Sequence, residues 1–193
     1  ARREHAVGEH DWHVIGEQQH FARPRMAAGR QADQRTFVGE GPGAMLAQHA
    51  QARGGPALCL QVLDAPMLDD RTGTTADPHP YTGEFVWTAE KNRFGWTALL
   101  GVAAGGGDVP AQAVPARASD LAGQPAAYIA VGALDLFLEE NLEYARRLTR
   151  AGVPVELHVT PGSYHGAGIM AAAPQNRQAL EWKLAAYRRA FGS

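Results

Sequence analysis

A chain of 193 residues, 45% of them hydrophobic, is long enough to bury one sizeable core and too short for several domains. Its 18 Lys and Arg against 20 Asp and Glu leave a net charge of −2, which removes the electrostatic case for a nucleic-acid partner. A single cysteine, Cys59, excludes an internal disulfide and fits a reducing compartment. There is no signal-peptide core at the start and no run of about eighteen apolar residues, so the expectation is a soluble, cytoplasmic protein without a membrane span.

Residues 1–34 stand apart. They are rich in His, Arg, Gln and Glu, and neither a period of two nor one of 3.6 persists in them, so little regular structure is expected. His10 and His13 could place two metal ligands one helical turn apart, but no cysteine or second ligand pair lies at the right spacing, and no metal is expected. Almost every basic residue of the chain is Arg, Lys91 and Lys183 excepted, which points to a GC-rich coding sequence. This opening segment therefore reads either as a diverged or rearranged front, or as out-of-frame translation.

Thr36-Phe37-Val38 reads as a short strand, followed by the turn Gly39-Glu40-Gly41-Pro42-Gly43 and a helix from about Ala44. The run from Ala57 to Leu63 is apolar but for Gln61, as in a strand covered on both faces, and Cys59 within it reads as core. Asp69 and Asp70 read as a solvated turn with a salt bridge to Arg71. From Thr72 to Leu100 an irregular segment is expected, carrying Tyr81, Phe85, Trp87, Phe94 and Trp96. Such density of aromatics in a loop either lines a pocket or simply anchors the loop. Gly105-Gly106-Gly107 reads as a flexible loop.

The most ordered stretch runs from Ala126 to His165. A strand at 126–132, a helix from about Leu136 to Arg150 and a strand at 155–160 form the pattern of a right-handed crossover between parallel strands. Leu138, Leu142, Ala145 and Leu148 mark the helix's inner face, with Glu143 and Arg147 paired on the outer one. A last helix should begin at Pro174, with Leu180, Leu184, Tyr187 and Phe191 as its buried stripe.

Asp135 follows the first of these strands and His165 the second, so both would emerge at the carboxyl edge of the sheet, where open α/β sheets place their sites. A carboxylate that orients an imidazole makes it a general base. From spacing alone the plainer reading outweighs that one: an Asp just before a helix is most often an N-cap, and a lone His in a Gly-rich loop is most often a solvated surface residue.

Four motifs bear on that choice: Val131-Gly132-Ala133-Leu134-Asp135-Leu136-Phe137, Tyr144-Ala145-Arg146-Arg147-Leu148, Gly152-Val153-Pro154-Val155-Glu156-Leu157-His158 and Pro161-Gly162-Ser163-Tyr164-His165-Gly166. Together they resemble the closing segment of the hormone-sensitive-lipase-like esterases of the α/β-hydrolase superfamily, and the likeness is nearly continuous from about Gly54 onward. The resemblance implies an α/β-hydrolase fold over 35–193, mostly parallel sheet with flanking helices, its N-terminal half incomplete or aberrant. It implies Asp135 as triad acid, His165 as triad base, and Phe94 and Trp96 near an acyl pocket. No cofactor is implied.

On the same resemblance, Gly39 to Gly43 stands where the family has its nucleophile elbow, a G-x-S-x-G turn between strand and helix. The serine position is Gly41. The next residue, whose N–H should help hold the oxyanion, is Pro42, which has none. Ser119, Ser163 and Ser193 are the only serines, and none lies in a strand-turn-helix pattern. The expectation is an ester hydrolase by descent that is inactive as written. Two alternatives remain open: a non-catalytic protein binding a small apolar ligand, and a truncated product whose exposed strand edge favours homo-oligomers.

Overall fold

The computed structural model describes residues 36–38, 43–170 and 172–192. The metal-ligand reading of His10 and His13, and the elbow positions Gly39, Glu40, Gly41 and Pro42, lie outside the described residues. Four parallel strands, β1 (Thr36–Val38), β2 (Leu58–Asp64), β3 (Ala127–Gly132) and β4 (Val155–Thr160), form one sheet in the order of the chain. Gln61 is opposite Ala127 and Ala127 opposite Val155, so the carboxyl ends of β2, β3 and β4 come out together.

Side chains alternate across a strand, and here the two sets meet different helices. Leu63, Ala127 and Ile129 pack on one face with Ala44 of α1 (Gly43–Ala52) and with Tyr144, Ala145 and Leu148 of a helix spanning Leu138–Arg150. Leu60, Val62, Tyr128 and Ala130 pack on the other face with Ala186, Trp182 and Tyr187 of the last helix, Pro174–Phe191. The parallel sheet is thus covered on both faces, which accounts for the largely apolar β2 and β3.

Between β2 and β3 lies an element that the sequence does not announce. Residues Ala89–Leu100 form α2, where an irregular segment was expected. Thr88 caps it, its hydroxyl accepting from the Lys91 N–H at 3.4 Å, and Gly101 ends it in a left-handed conformation at φ 70°. Only Asn92 and Trp96 of α2 are buried, so no apolar stripe marks its period. The helix after β3, α3 (Leu138–Arg150), begins two residues later than Leu136. Asp135 folds back first: its Oδ1 accepts from the Phe137 N–H at 3.0 Å and its carbonyl from the Leu138 N–H at 3.1 Å.

Several local expectations change with the tertiary context. The buried face of α3 is made by Glu140, Asn141, Tyr144, Ala145 and Leu148, while Leu142 is exposed. Glu143 pairs with Arg146, not Arg147, whose guanidinium instead donates to the carbonyls of Ala116 and Ala118. The final helix, α4 (Pro174–Phe191), starts at Pro174 as expected, but Leu180 and Leu184 are 53% and 40% exposed; Trp182, Ala186 and Ala190 face the sheet instead.

Asp70 is not solvated. It is fully buried, held by both Nε and Nη2 of Arg117 at 2.7 and 2.8 Å and by the Gly105 N–H at 2.7 Å. Burial pushes its carboxyl up, but the Arg117 and Gly105 bonds outweigh that and hold it below the ordinary range. The glycine triplet is correspondingly anchored rather than free, since Arg117 also donates to Gly106 O. Asp69 alone keeps the expected bridge to Arg71, at 2.7 Å.

Candidate active site

Asp135 leaves the end of β3 and His165 the loop after β4, and the two meet. His165 Nδ1 lies 3.0 Å from Asp135 Oδ2, with the carboxylate only 1% exposed. The other oxygen of Asp135 is used by the Phe137 N–H, so the carboxylate has one orientation. With Asp135 accepting, Nδ1 carries the proton and Nε2 is left to take one up. Asp135 thus orients the imidazole with one oxygen and caps the turn before α3 with the other.

The close approach depends on Gly132. A Cβ there would fall 2.3 Å from Ser163 O, so only a glycine lets the loop carrying His165 lie against the end of β3. The Leu134 N–H donates to that same Ser163 oxygen at 2.9 Å and locks the two segments together.

His165 faces a cavity of about 460 Å³ whose other walls include Met45, Met67, Trp87, Trp96 and Phe137. The imidazole meets the edge of Phe137 at 5.2 Å between centroids and the Trp87 ring at 5.7 Å. Asp64 is the carboxylate of the lining, and Lys183 neutralises it at 2.6 Å. Such a wall favours an uncharged ligand. Trp96 lines the cavity, whereas Phe94 is 77% exposed on the outer side of α2 and does not. Gly43 is buried as the first residue of α1, and its neighbours Ala44 and Met45 line the cavity that His165 also lines. The N-terminus of α1 therefore opens on the same cavity as His165.

A model of the α/β-hydrolase fold matches residues 12–169. The chain belongs to that family. Within it, the relatives are hormone-sensitive-lipase-like esterases. Esterase LipI of Mycobacterium tuberculosis (strain ATCC 25618 / H37Rv) is 30% identical over 154 residues, which is 68% of this chain and 42% of LipI. Among solved structures, a bacterial heroin esterase superposes with a TM-score of 0.72 at 32% identity, covering 81% of this chain and 52% of the esterase. Esterase LipW from Mycobacterium marinum superposes with a TM-score of 0.66 at 31% identity, covering 80% and 49%. The hydrolase-fold chain described here thus spans about half the length of these relatives.

Spacing and resemblance together single out Asp135, His165 and Trp96. What they do not reveal is that Trp87 and Phe137 enclose the imidazole, or that Met45 and Met67 complete the wall. Phe137 stands two residues after Asp135, and the Asp135 turn aims it back at the ring. Trp87 reaches the site from about eighty residues upstream, across a loop with no periodic signal. Among the described residues, no group of three or more His, Cys, Asp and Glu could hold a metal ion, and no helix is long and apolar enough to cross a membrane.

Proposed function

We propose that this chain is the carboxyl-terminal half of a carboxylic ester hydrolase, with Asp135 and His165 as acid and base and with Gly41 standing where the attacking serine would be. The observation that carries this reading is the 3.0 Å Asp135–His165 bond beside an apolar cavity next to the N-terminus of α1. In such a site the base removes a proton from a hydroxyl, the alkoxide attacks the ester carbonyl, and the imidazolium returns the proton to the departing alcohol. Asp135 keeps the tautomer and stabilises the imidazolium. The substrate would be a small uncharged ester.

With glycine at the attacking position and proline after it, the chain itself should turn over almost no ester, since loss of the nucleophile removes most of the rate. The test is a burst experiment with a short p-nitrophenyl ester together with labelling by a serine-directed phosphonate. The expected result is neither burst nor label; a stoichiometric burst overturns the reading. Gly41→Ser alone should restore little, because Pro42 still supplies no N–H.

A second reading follows from the cavity wall itself, which is aromatic and aliphatic except for His165 and the neutralised Asp64. It is a non-catalytic protein that holds a small apolar ligand. Saturable thermal stabilisation by such a ligand, without turnover, supports it. One cysteine in 193 residues makes the reducing cytoplasm the proposed compartment.

A further inference from the structure

We propose that Trp87 is the positioning residue for His165, holding the imidazole against Phe137, and that buried Asn92 sets the indole in place from α2. The inference rests on the reading of His165 as a base, and it adds a second support to the one Asp135 provides.

Asp135 fixes one nitrogen of the ring, which still leaves the imidazole free to tilt about that bond. Two aromatic neighbours remove the freedom: the Phe137 edge at 5.2 Å and an interplanar angle of 89°, and the Trp87 ring at 5.7 Å and 43°. Phe137 is placed by the Asp135 turn. Trp87 is held by a separate set of contacts.

Its indole Nε1–H donates to Asn92 Oδ1 at 3.2 Å. Asn92 is 0% exposed, and its amide nitrogen donates at 2.8 Å to the carbonyl of Thr72. Both ends of the amide are thus used, and a buried amide so bonded has one orientation. On the other side of Trp87, Val86 adopts φ 58°. A left-handed backbone is unfavourable for a β-branched residue and persists only where surrounding contacts enforce it. Here Lys91 Nζ donates to Val86 O at 2.7 Å, and the Trp87 N–H folds back onto Phe85 O at 2.6 Å. The backbone strain and the buried amide therefore act on the same side chain, and that side chain packs on the base.

The test reads His165 directly and needs no ester turnover, so a failure of the hydrolase reading is distinguishable from a failure of this one. Diethyl pyrocarbonate acylates accessible imidazole nitrogen, and the rate at His165 can be followed by mass spectrometry of its peptide. Releasing the ring should raise that rate: Trp87→Ala by about 3-fold, and Asn92→Ala by a similar factor. Trp87→Phe keeps an aromatic face but has no N–H, so adding Asn92→Ala to it should change the rate no further. If Trp87→Ala fails to fold, Trp87→Leu, which has bulk but no ring face, takes its place with the same expectation. An unchanged His165 rate on removal of the Trp87 ring overturns the proposal. So does an Asn92→Ala effect that is equal in the native and Trp87→Phe backgrounds, which would mean that Asn92 acts through Thr72 and not through the indole.

Discussion

A Cβ on Gly132 would lie 2.3 Å from Ser163 O and 2.6 Å from its carbonyl carbon, both backbone atoms that cannot swing aside. Gly132→Ala should therefore lose about 1–3 kcal/mol in urea unfolding, as overpacked sites do, and should separate His165 from Asp135 as well. Gly95 presents the opposite case. It lies inside α2, and a Cβ there would make ordinary contact with the Trp87 ring at 3.5 Å. Replacing a helix-interior glycine by alanine is worth about 0.5–1 kcal/mol, so Gly95→Ala should raise the midpoint of denaturation without disturbing the site. Two glycines some forty residues apart thus respond to the same substitution with opposite signs, and only the backbone opposite each one decides which.

Among the elements, the long connection from β2 to β3 is tied down by charge. Asp70, six residues after the end of β2, holds Arg117 and the glycine loop from a fully buried position. Removing one member of such a pair leaves an uncompensated charge, so Asp70→Ala should cost about 3–5 kcal/mol, while the double substitution Asp70→Leu with Arg117→Met should recover most of that loss. The same pair shows where sequence reading reaches its limit. The strands β2, β3 and β4 and helices α3 and α4 are legible because apolar runs and capping signals are local. The Asp135–His165 meeting is legible because strand order brings consecutive parallel ends together. Asp70 with Arg117, and Glu140 turned inward on α3, are not legible, since each is justified only by a partner tens of residues away. For α2 the difficulty is different: its caps are readable, but Asn92 and Trp96 are its only buried residues, too few to show a period.

For the whole molecule, two buried carboxyls act in opposite directions on stability against pH. Glu140 is pushed up to about 8 from 4.5 by burial, against the pull of hydrogen bonds from Thr72 and the Leu68 N–H. A raised carboxyl contributes fully below about pH 4.5 and loses that contribution as pH climbs to about 8, because the folded state then holds a proton the unfolded chain has released. Asp70 is held below 3.8, so its contribution is present above that value and lost on further acidification. These two groups place the maximum of stability between about pH 4 and 5. Glu140→Gln should flatten the alkaline decline by on the order of 5 kcal/mol, measured as unfolding free energy from pH 4 to 9. Folding kinetics carry a further consequence of the all-parallel sheet. No two neighbouring strands can form a hairpin, and β3 cannot meet β2 until residues 65–126 have been gathered back on themselves. The middle of the sheet therefore forms only after a long excursion of chain has closed, and stopped-flow refolding should be slow, in the range of milliseconds to seconds typical of non-local topologies. Until that closure β2 has its β3 side bare, and a chain emerging from synthesis passes through that interval every time it is made.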